Sequence, residues 1–423
     1  MNLFRVLFVA LYLLQFAFFA GLEVLNLRHL RRMGSRCPAV FRDFMDEALY
    51  RRTMDYTRDK TVLGLAREAV SETVLLAMIV TGFLAVMDAR LWEVFASPGA
   101  RGLLFFLIPG LILYVAGLPF AYRRTFVIEE RYGFNRTTPA RWVMDQVKGA
   151  VLSLIVFAPL LLMVLWLVRA HPEAWWIWAF GVVSTVHLLV AVLYPRCIAP
   201  IFNRFRPLQD RLLAEKVREL MERNGVRVER ILEMDAGVRS RHSNAYFTGL
   251  GKTKQIVLFD TLMESHPHDE VLAVLAHEAG HFKRRHILKQ LAASELALLL
   301  GFYGTARLLE WPALTSAFGF EQASHHAGLF ILTVFWQKAG AFLLPLYMAQ
   351  SRRFEREADA YSARMMGTAE PLVTAFKRMA AHNLANLAPH PLYVTFHYSH
   401  PPLAERIALL ENVFSTPFGG KAR

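Results

Sequence analysis

The sequence predicts a mainly α-helical membrane protein, in which seven transmembrane helices carry a small α+β domain outside the bilayer. Three observations predict this class. Hydrophobic residues make up 55% of the 423 positions and the mean hydropathy is +0.30, a combination that soluble chains seldom show. Seven apolar segments approach the length of about 20 residues that a helix needs to cross a bilayer. One long stretch between the fifth and sixth segments has instead the amphipathic pattern of a soluble domain.

The seven apolar segments lie on both sides of the soluble stretch, five before it and two after it. The first of them could be a cleaved signal peptide, but its apolar stretch is longer than a signal core and its arginines follow it. We therefore expect a retained anchor. The segments are Leu3–Leu25, Ala69–Met87, Gly102–Tyr122, Gly149–Val168, Ala174–Tyr194, Leu291–Leu309 and Gly328–Ala349.

Basic residues concentrate in alternate loops, and this asymmetry predicts the orientation. The loops after segments one and three are rich in arginine, whereas the loops after segments two, four and six are almost free of it. The positive-inside rule places the arginine-rich loops in the cytoplasm, together with the stretch from Pro195 to about Lys289 and the C-terminus. The net charge of +13 then reflects contact with anionic membrane lipids, and we expect no nucleic-acid partner.

The cytoplasmic stretch begins with an amphipathic helix and a hairpin. Apolar residues recur at helical spacing over Leu208–Asn224, and Gly225 ends that helix. Two strand-like runs follow, Asn244–Thr248 and Gln255–Phe259, and they predict a β-hairpin. The residues that would join the two strands include Gly249, Gly251 and Lys252.

The next helix carries the motif His277-Glu278-Ala279-Gly280-His281. Pro267 and Asp269 open this helix. Residues four apart lie on one helical face, so the imidazoles of His277 and His281 can converge on one metal ion. Zinc takes nitrogen and oxygen ligands and leaves a position open for water. Glu278 can then act as general base towards that water in peptide hydrolysis.

A second helix supplies candidates for the third ligand. Ser351–Met366 carries Glu355 and Asp359 four residues apart, so both face one way. We expect Glu355 to be the ligand and Asp359 to accept the outer ring N–H of a ligating histidine. Glu357 is the rival ligand, but it lacks an acidic partner four residues on and faces elsewhere on the helix. The alternative for Glu355 is an ion pair on a solvated face, with Arg352 or Arg356.

Other polar residues leave alternatives open. Glu72, Glu295 and Lys338, with neighbouring Gln337, lie inside predicted spans, where a charge costs at least about 2.5–3.5 kcal/mol. They indicate either a hydrated cavity between the helices or a Glu–Lys pair buried in helix packing. The two cysteines are too few to cross-link the fold and have no CxxC neighbour, so we expect free thiols at Cys37 and Cys197.

Several motifs together resemble the Ste24-type CAAX prenyl proteases, membrane zinc endopeptidases of the gluzincin kind in peptidase family M48. Their order and spacing extend over most of the chain. Besides the HEAGH and EREAD helices, they are Arg131–Asn135 (RYGFN), Tyr194–Asn203 (YPRCIAPIFN), His242–Gly249 (HSNAYFTG), Ile256–Leu262 (IVLFDTL) and Tyr398–Ile407 (YSHPPLAERI).

The resemblance implies features that the residue pattern does not show. Seven helices would enclose a large hydrated chamber, with the active site opening inward. His400 and Arg406 would lie near the zinc and hold the substrate carbonyl or the oxyanion, although structural capping roles are an equal alternative. An edge strand would bind the extended substrate backbone through Asn244, Ala245, Tyr246 and Phe247.

We therefore expect a zinc metalloendopeptidase with one Zn²⁺ per chain, acting as a monomer on a peptide or lipidated-peptide substrate. The short loops between spans and the high arginine content favour a bacterial inner membrane over the endoplasmic reticulum. Three alternatives compete: an HtpX-like quality-control protease, an inactive scaffold or transporter, and a site-2-type intramembrane protease. The last places its motif within a span, whereas here Lys283, Arg284 and Arg285 follow the motif at once.

Four consecutive parts follow from this interpretation. Residues 1–195 hold transmembrane helices one to five with their cytoplasmic loops, and residues 196–290 form the cytoplasmic metalloprotease domain with the HExxH helix. Residues 291–350 hold transmembrane helices six and seven. Residues 351–423 complete the protease domain and supply the third zinc ligand.

Overall fold

A computed structural model shows a mainly helical chain and describes residues 2–33, 36–248, 255–311, 313–322 and 324–415. In the N-terminal half the α-helices are α1 (Leu3–Met33), α2 (Glu47–Val80), α3 (Phe83–Val94), α4 (Pro98–Arg123), α5 (Pro139–Ala170), α6 (Trp175–Leu193), α7 (Ala199–Phe202) and α8 (Arg211–Arg223). Beyond these the helices are α9 (Asp260–Ser265), α10 (His268–Lys283), α11 (His286–Leu309), α12 (Ala313–Ser316), α13 (His325–Ala341), α14 (Leu344–Met366), α15 (Glu370–His382), α16 (Pro391–His397) and α17 (Leu403–Ser415).

Among the described residues, five helices are long and apolar enough to cross a bilayer alone, namely α1, α4, α5, α6 and α11. The number is seven if each of two bent pairs forms one span: α2 with α3, bent by 62°, and α13 with α14, bent by 55°. The predicted segments two and seven are therefore present but broken. The first break lies at Gly82, whose φ of +85° a helix cannot continue. Pro345 stands in the first turn of α14, where proline begins a new helix.

Two of the charged residues inside the predicted spans are paired with each other. Lys338 is 2% exposed, and its Nζ donates to Glu72 Oε2 at 2.6 Å. Glu295 contacts the side chains of Ser184 and His187. The Glu–Lys pair is therefore present for Glu72 and Lys338, and the hydrated cavity stays a prediction. Both cysteines are free thiols, as predicted.

In the described part of the chain, the α+β unit contains one four-stranded sheet. Its strands are β1 (Phe205–Pro207), β2 (Arg230–Met234), β3 (Ala245–Thr248) and β4 (Gln255–Phe259), in the order β1-β2-β4-β3. The predicted strand pair β3–β4 is confirmed as antiparallel, with Ala245 opposite Leu258 and Thr248 opposite Gln255. The predicted connecting residues lie outside the described residues: Gly249, Gly251 and Lys252.

The sequence analysis did not predict strands β1 and β2, and its predicted first residue for helix α8 was wrong. Helix α8 begins at Arg211, because Asp210 Oδ1 accepts the Leu213 N–H at 2.9 Å and caps it. Leu208, the predicted first residue of that helix, instead donates its N–H to the Ile231 carbonyl and continues the edge of the sheet. Strand β2 pairs in parallel with β4, a long-range contact without a local signal.

Helices α10 and α14 cross closely at the centre of the α+β unit. A Cβ added at Gly280 would lie 3.0 Å from the Ala358 Cα and 3.1 Å from the Tyr361 Cβ, so glycine is what permits this approach. Ser362 Oγ donates to the Ala273 carbonyl across the same interface at 2.7 Å. Such a short separation lets polar side chains on the two helices meet.

Candidate metal centre

The motif helix α10 is buried on almost every side, and its two motif histidines turn towards Glu355 of α14. Of its sixteen residues, ten are buried, His277 among them at 7% exposed. His277 and His281 lie one turn apart, with their Nε2 atoms 3.1 Å from each other. Two ring nitrogens at this separation are directed at a common point.

Glu355 meets the two histidines from α14. It is 4% exposed. Its Oε1 lies 3.2 Å from His281 Nε2, and its Oε2 lies 3.4 Å from His277 Nε2. Among the described residues these three form a group whose ligand atoms all lie within 4.8 Å of one another. The structure therefore brings together the three residues for which the sequence predicts metal ligation.

The donor set fits a zinc ion. Around one zinc, ligand atoms at about 2.0–2.1 Å from the ion lie about 3.3 Å from each other, close to the separations of 3.1, 3.2 and 3.4 Å seen here. Glu355 Oε2 is buried and receives no hydrogen bond from the described residues. A buried carboxylate oxygen left in this state is costly unless a cation occupies the site.

The outer side of His277 is held by two charged groups. Its Nδ1 lies 2.8 Å from Asp359 Oδ1. Arg406 donates to the same carboxylate twice, from Nε at 2.8 Å and from Nη2 at 2.6 Å. Arg406 is 5% exposed and lies beside Glu355 as well, with Nη2 3.4 Å from Oε2. This arrangement fixes the ring of His277 and keeps its Nε2 directed inward.

The electrostatic balance of the site favours a cation. Burial disfavours the charged form of His277, but Asp359 and Glu355 outweigh this and raise its pKa to about 9. Burial also raises the pKa of the Glu278 carboxyl, next to the two ring faces. Three carboxylates, those of Glu278, Glu355 and Asp359, face the single guanidinium of Arg406. With His277 and His281 neutral, as metal ligands must be, the formal sum is −2, which one divalent ion would neutralise.

The rival ligand Glu357 and the two arginines proposed as ion-pair partners of Glu355 contact other groups. Glu357 contacts His286 Nε2 at 3.2 Å and accepts from Arg353 Nε at 3.1 Å, away from the histidine pair. Arg352, one proposed ion-pair partner of Glu355, donates to the Val394 and Tyr398 carbonyls. The other, Arg356, donates to Glu405. Neither arginine neutralises Glu355.

His400 and the strand β3 line the open side of the centre. His400 Nε2 lies 3.4 Å from Glu355 Oε1 while its side chain stays 60% exposed. Strand β3 is an edge of the sheet and lies against α10. Of the four residues predicted to bind substrate, Asn244 precedes the strand and is exposed, Ala245 is buried, and Tyr246 and Phe247 are partly exposed.

One neighbour of the centre was missed by the sequence interpretation. His286 is 1% exposed, and its Nδ1 lies 3.1 Å from His281 Nδ1. The sequence does contain a signal, a third histidine five residues beyond the motif. A helix continued past His281 would not bring His286 back to His281. The chain instead turns at Arg285, which has φ +55°, and this turn places the two histidines side by side.

A membrane-embedded helical half joined to an α+β unit with a His-His-Glu centre on an HExxH helix defines a membrane metallopeptidase. Two family models match this chain: "CAAX prenyl protease N-terminal, five membrane helices" over residues 26–204, and "Peptidase family M48" over residues 207–413. The chain belongs to the CAAX prenyl protease (Ste24) family of M48 metallopeptidases.

Relatives and a solved structure agree with this assignment over nearly the whole chain. CAAX prenyl protease 1 of Saccharomyces cerevisiae is 32% identical over 410 residues, 90% of this chain and 89% of the relative. The CAAX prenyl protease 1 homolog of Homo sapiens is 29% identical over 436 residues, 91% of each. The crystal structure of S. mikatae Ste24p matches with a TM-score of 0.91 at 28% identity, covering 97% of this chain and 100% of that one. The predicted family, fold class and enzyme class are confirmed.

Proposed function

We propose that this membrane metallopeptidase is a zinc-dependent endopeptidase whose ion is held by His277, His281 and Glu355. The observation that carries the proposal is the convergence of these three donors, with Glu355 Oε2 buried and without a hydrogen bond from the described residues. A bound zinc ion supplies Lewis acidity towards both the attacking water and the scissile carbonyl.

Glu278 is the proposed general base. It follows His277 on α10 and therefore lies beside the ligand face. Burial raises its pKa, which increases its basicity and its ability to return the proton to the leaving amine. The buried guanidinium of Arg406 and the exposed imidazole of His400 both lie within 3.4 Å of Glu355. We propose that His400, on the open side, donates to the developing oxyanion.

The proposed substrate is an extended peptide, with or without an attached lipid. Strand β3 offers an outer edge to which no described strand pairs, next to the motif helix. A peptide that added one strand there would run past the metal centre with its carbonyls in reach. Residues Asn244–Phe247 would supply the main-chain contacts, so side-chain selectivity comes from elsewhere in the site.

The membrane half supports an enclosed, hydrated approach to the site. In the most apolar window of α11 none of the residues is buried, and in that of α6 only 6% are. Helices with so few buried residues suit the wall of a chamber better than the centre of a packed bundle. The arginine-rich loops support a cytoplasmic protease domain, and the short connections between spans suit the predicted bacterial inner membrane.

Glu278→Gln tests the proposed function. The amide keeps the size of the side chain and removes the base, so the purified variant should fold, carry about one zinc per chain and lose peptide cleavage by about three or more orders of magnitude. Cleavage would be measured on a prenylated peptide and on the same peptide without its lipid, which separates the two substrate classes. Equal cleavage by variant and wild type would remove Glu278 from the reaction.

A further inference from the structure

His286 is a buried polar side chain beside the centre to which the proposed reaction gives no role. It is the first residue of α11 and stacks on Phe354, with ring centroids 4.2 Å apart and planes 6° from parallel. Both of its nitrogens have partners: Nδ1 lies 3.1 Å from His281 Nδ1, and Nε2 lies 3.2 Å from Glu357 Oε2. A side chain that served only to fill the core would not need both contacts.

The positions of the nitrogens determine where the protons must be. His281 directs Nε2 at Glu355 and at the other histidine, so as a neutral ligand it carries its proton on Nδ1. That N–H donates to His286 Nδ1, which must then be the acceptor. The remaining proton of His286 is on Nε2 and donates to the Glu357 carboxylate. Each polar atom in this series is satisfied with both histidines neutral.

The carboxylate at the end of the series is itself fixed in place. Glu357 Oε1 accepts from Arg353 Nε at 3.1 Å, while Oε2 faces His286. The Glu357 side chain is 27% exposed, whereas that of His286 is 1% exposed. A solvent-facing ion pair therefore orients a buried imidazole, and the imidazole in turn contacts the outer nitrogen of a proposed ligand.

His286 is not placed to be a fourth ligand. It approaches the Nδ1 side of His281, opposite the Nε2 atom that faces Glu355. The equivalent place beside His277 is occupied directly by a carboxylate, with Asp359 Oδ1 2.8 Å from Nδ1. The two histidines are therefore supported differently, one by Asp359 and the other through an intervening imidazole.

We propose that His286 and Glu357 form a hydrogen-bonded relay that fixes the tautomer and ring orientation of His281 and thereby strengthens zinc binding. His286 is a positioning residue in this arrangement. The inference rests on the proposed zinc site. Removing outer partners of this kind typically lowers metal affinity 10- to 100-fold.

A matched pair of substitutions at His286 separates hydrogen bonding from packing. His286→Phe keeps an aromatic ring against Phe354 but cannot accept from His281, whereas the amide of His286→Gln can accept there and donate to Glu357. Zinc affinity and release rate would be measured on the purified full chain by competition with a chelator. We expect about 10- to 100-fold weaker binding for His286→Phe and recovery of most of that loss in His286→Gln.

A second pair tests the relay from its exposed end. Glu357→Ala should speed zinc release, while Glu357→Gln, which still accepts from His286, should stay near wild type. If His286→Phe does not fold, the two Glu357 variants still test whether the relay strengthens zinc binding. Wild-type zinc affinity in both His286→Phe and Glu357→Ala would overturn the relay. Failure of the wild-type chain to bind zinc would instead overturn the proposed function, so the two failures are distinguishable.

Discussion

Two buried charge clusters in this chain differ in how completely their charges are matched. In the membrane half, Lys338 donates to Glu72 at 2.6 Å and its Nζ also lies 4.4 Å above the Tyr12 ring. In the α+β unit, Glu278, Glu355 and Asp359 face Arg406 alone, and Glu355 Oε2 lacks a hydrogen bond from the described residues. The Glu72–Lys338 pair is neutral by itself, with the Glu68 carboxylate nearby. The second cluster carries a formal excess of −2 when its histidines are neutral, as metal ligands must be.

This difference separates a structural cluster from a functional one. A buried ion pair needs its charges matched to limit the cost of desolvation. A site that leaves negative charge unmatched is stabilised by a bound cation, and binding a cation is what the proposed chemistry requires. Burial alone therefore does not identify the site, because Lys338 and Glu355 are 2% and 4% exposed. The convergence of a buried carboxylate with two histidines does.

Among the substitutions that test this comparison, we expect the largest effect, a loss of zinc affinity, at Glu355. Glu355→Ala removes one of three proposed ligands and should abolish stoichiometric zinc binding, with affinity falling by more than about 100-fold. Glu357→Ala is the matched control, since it should still hold one zinc per chain when zinc is in excess. Metal analysis of both purified variants decides this, and loss of zinc only in Glu357→Ala would contradict the ligand assignment.

The neutral cluster should respond to substitution through stability. Lys338→Met leaves the Glu72 carboxylate, whose side chain is 17% exposed, without its partner and should destabilise the fold by up to about 3–5 kcal/mol. The double variant Lys338→Met with Glu72→Gln should recover most of that loss, because the unmatched charge is gone. Denaturation in detergent measures both variants. If the folded fraction of Lys338→Met also lost its zinc, the two clusters would not be independent.

A smaller effect is expected where Arg406 supports Asp359. Arg406→Lys keeps the charge but not the two parallel hydrogen bonds to the carboxylate. Because Asp359 then holds His277 less firmly, zinc affinity should fall by about 10-fold. Chelator competition measures it, with the same substitution at the exposed Arg356 as control. An unchanged affinity would show that the guanidinium fork does not position Asp359.

The smallest effect is expected for a charge pair that is neither buried nor unmatched. Arg90 donates to Glu93 at 2.8 Å, but both side chains are more than 60% exposed. Arg90→Ala should change the free energy of unfolding by at most about 0.5 kcal/mol. A loss comparable with that of Lys338→Met would mean that burial is not what distinguishes these pairs.

Sequence reasoning reached the proposed ligands because they follow helical spacing. The four-residue intervals between His277 and His281, and between Glu355 and Asp359, each define one helical face. Hydropathy likewise predicts the spans, although a bend such as that at Gly82 depends on packing against other helices as well as on glycine.

The features that escaped the sequence interpretation depend on long-range geometry. Strand β2 pairs in parallel with β4, and its five residues have no alternation strong enough to predict that partner. His286 is placed beside His281 by the left-handed turn at Arg285, a conformation that sequence rarely reveals in a residue other than glycine.

The central claim is that one zinc ion binds between α10 and α14. Anomalous X-ray diffraction measured on both sides of the zinc absorption edge, from crystals of the purified chain, tests it most directly. The account predicts a single strong anomalous peak per chain, within coordination distance of His277 Nε2, His281 Nε2 and a Glu355 carboxylate oxygen. A peak beside Glu357 and His286 instead, or zinc-loaded crystals with no peak between the two helices, would contradict it.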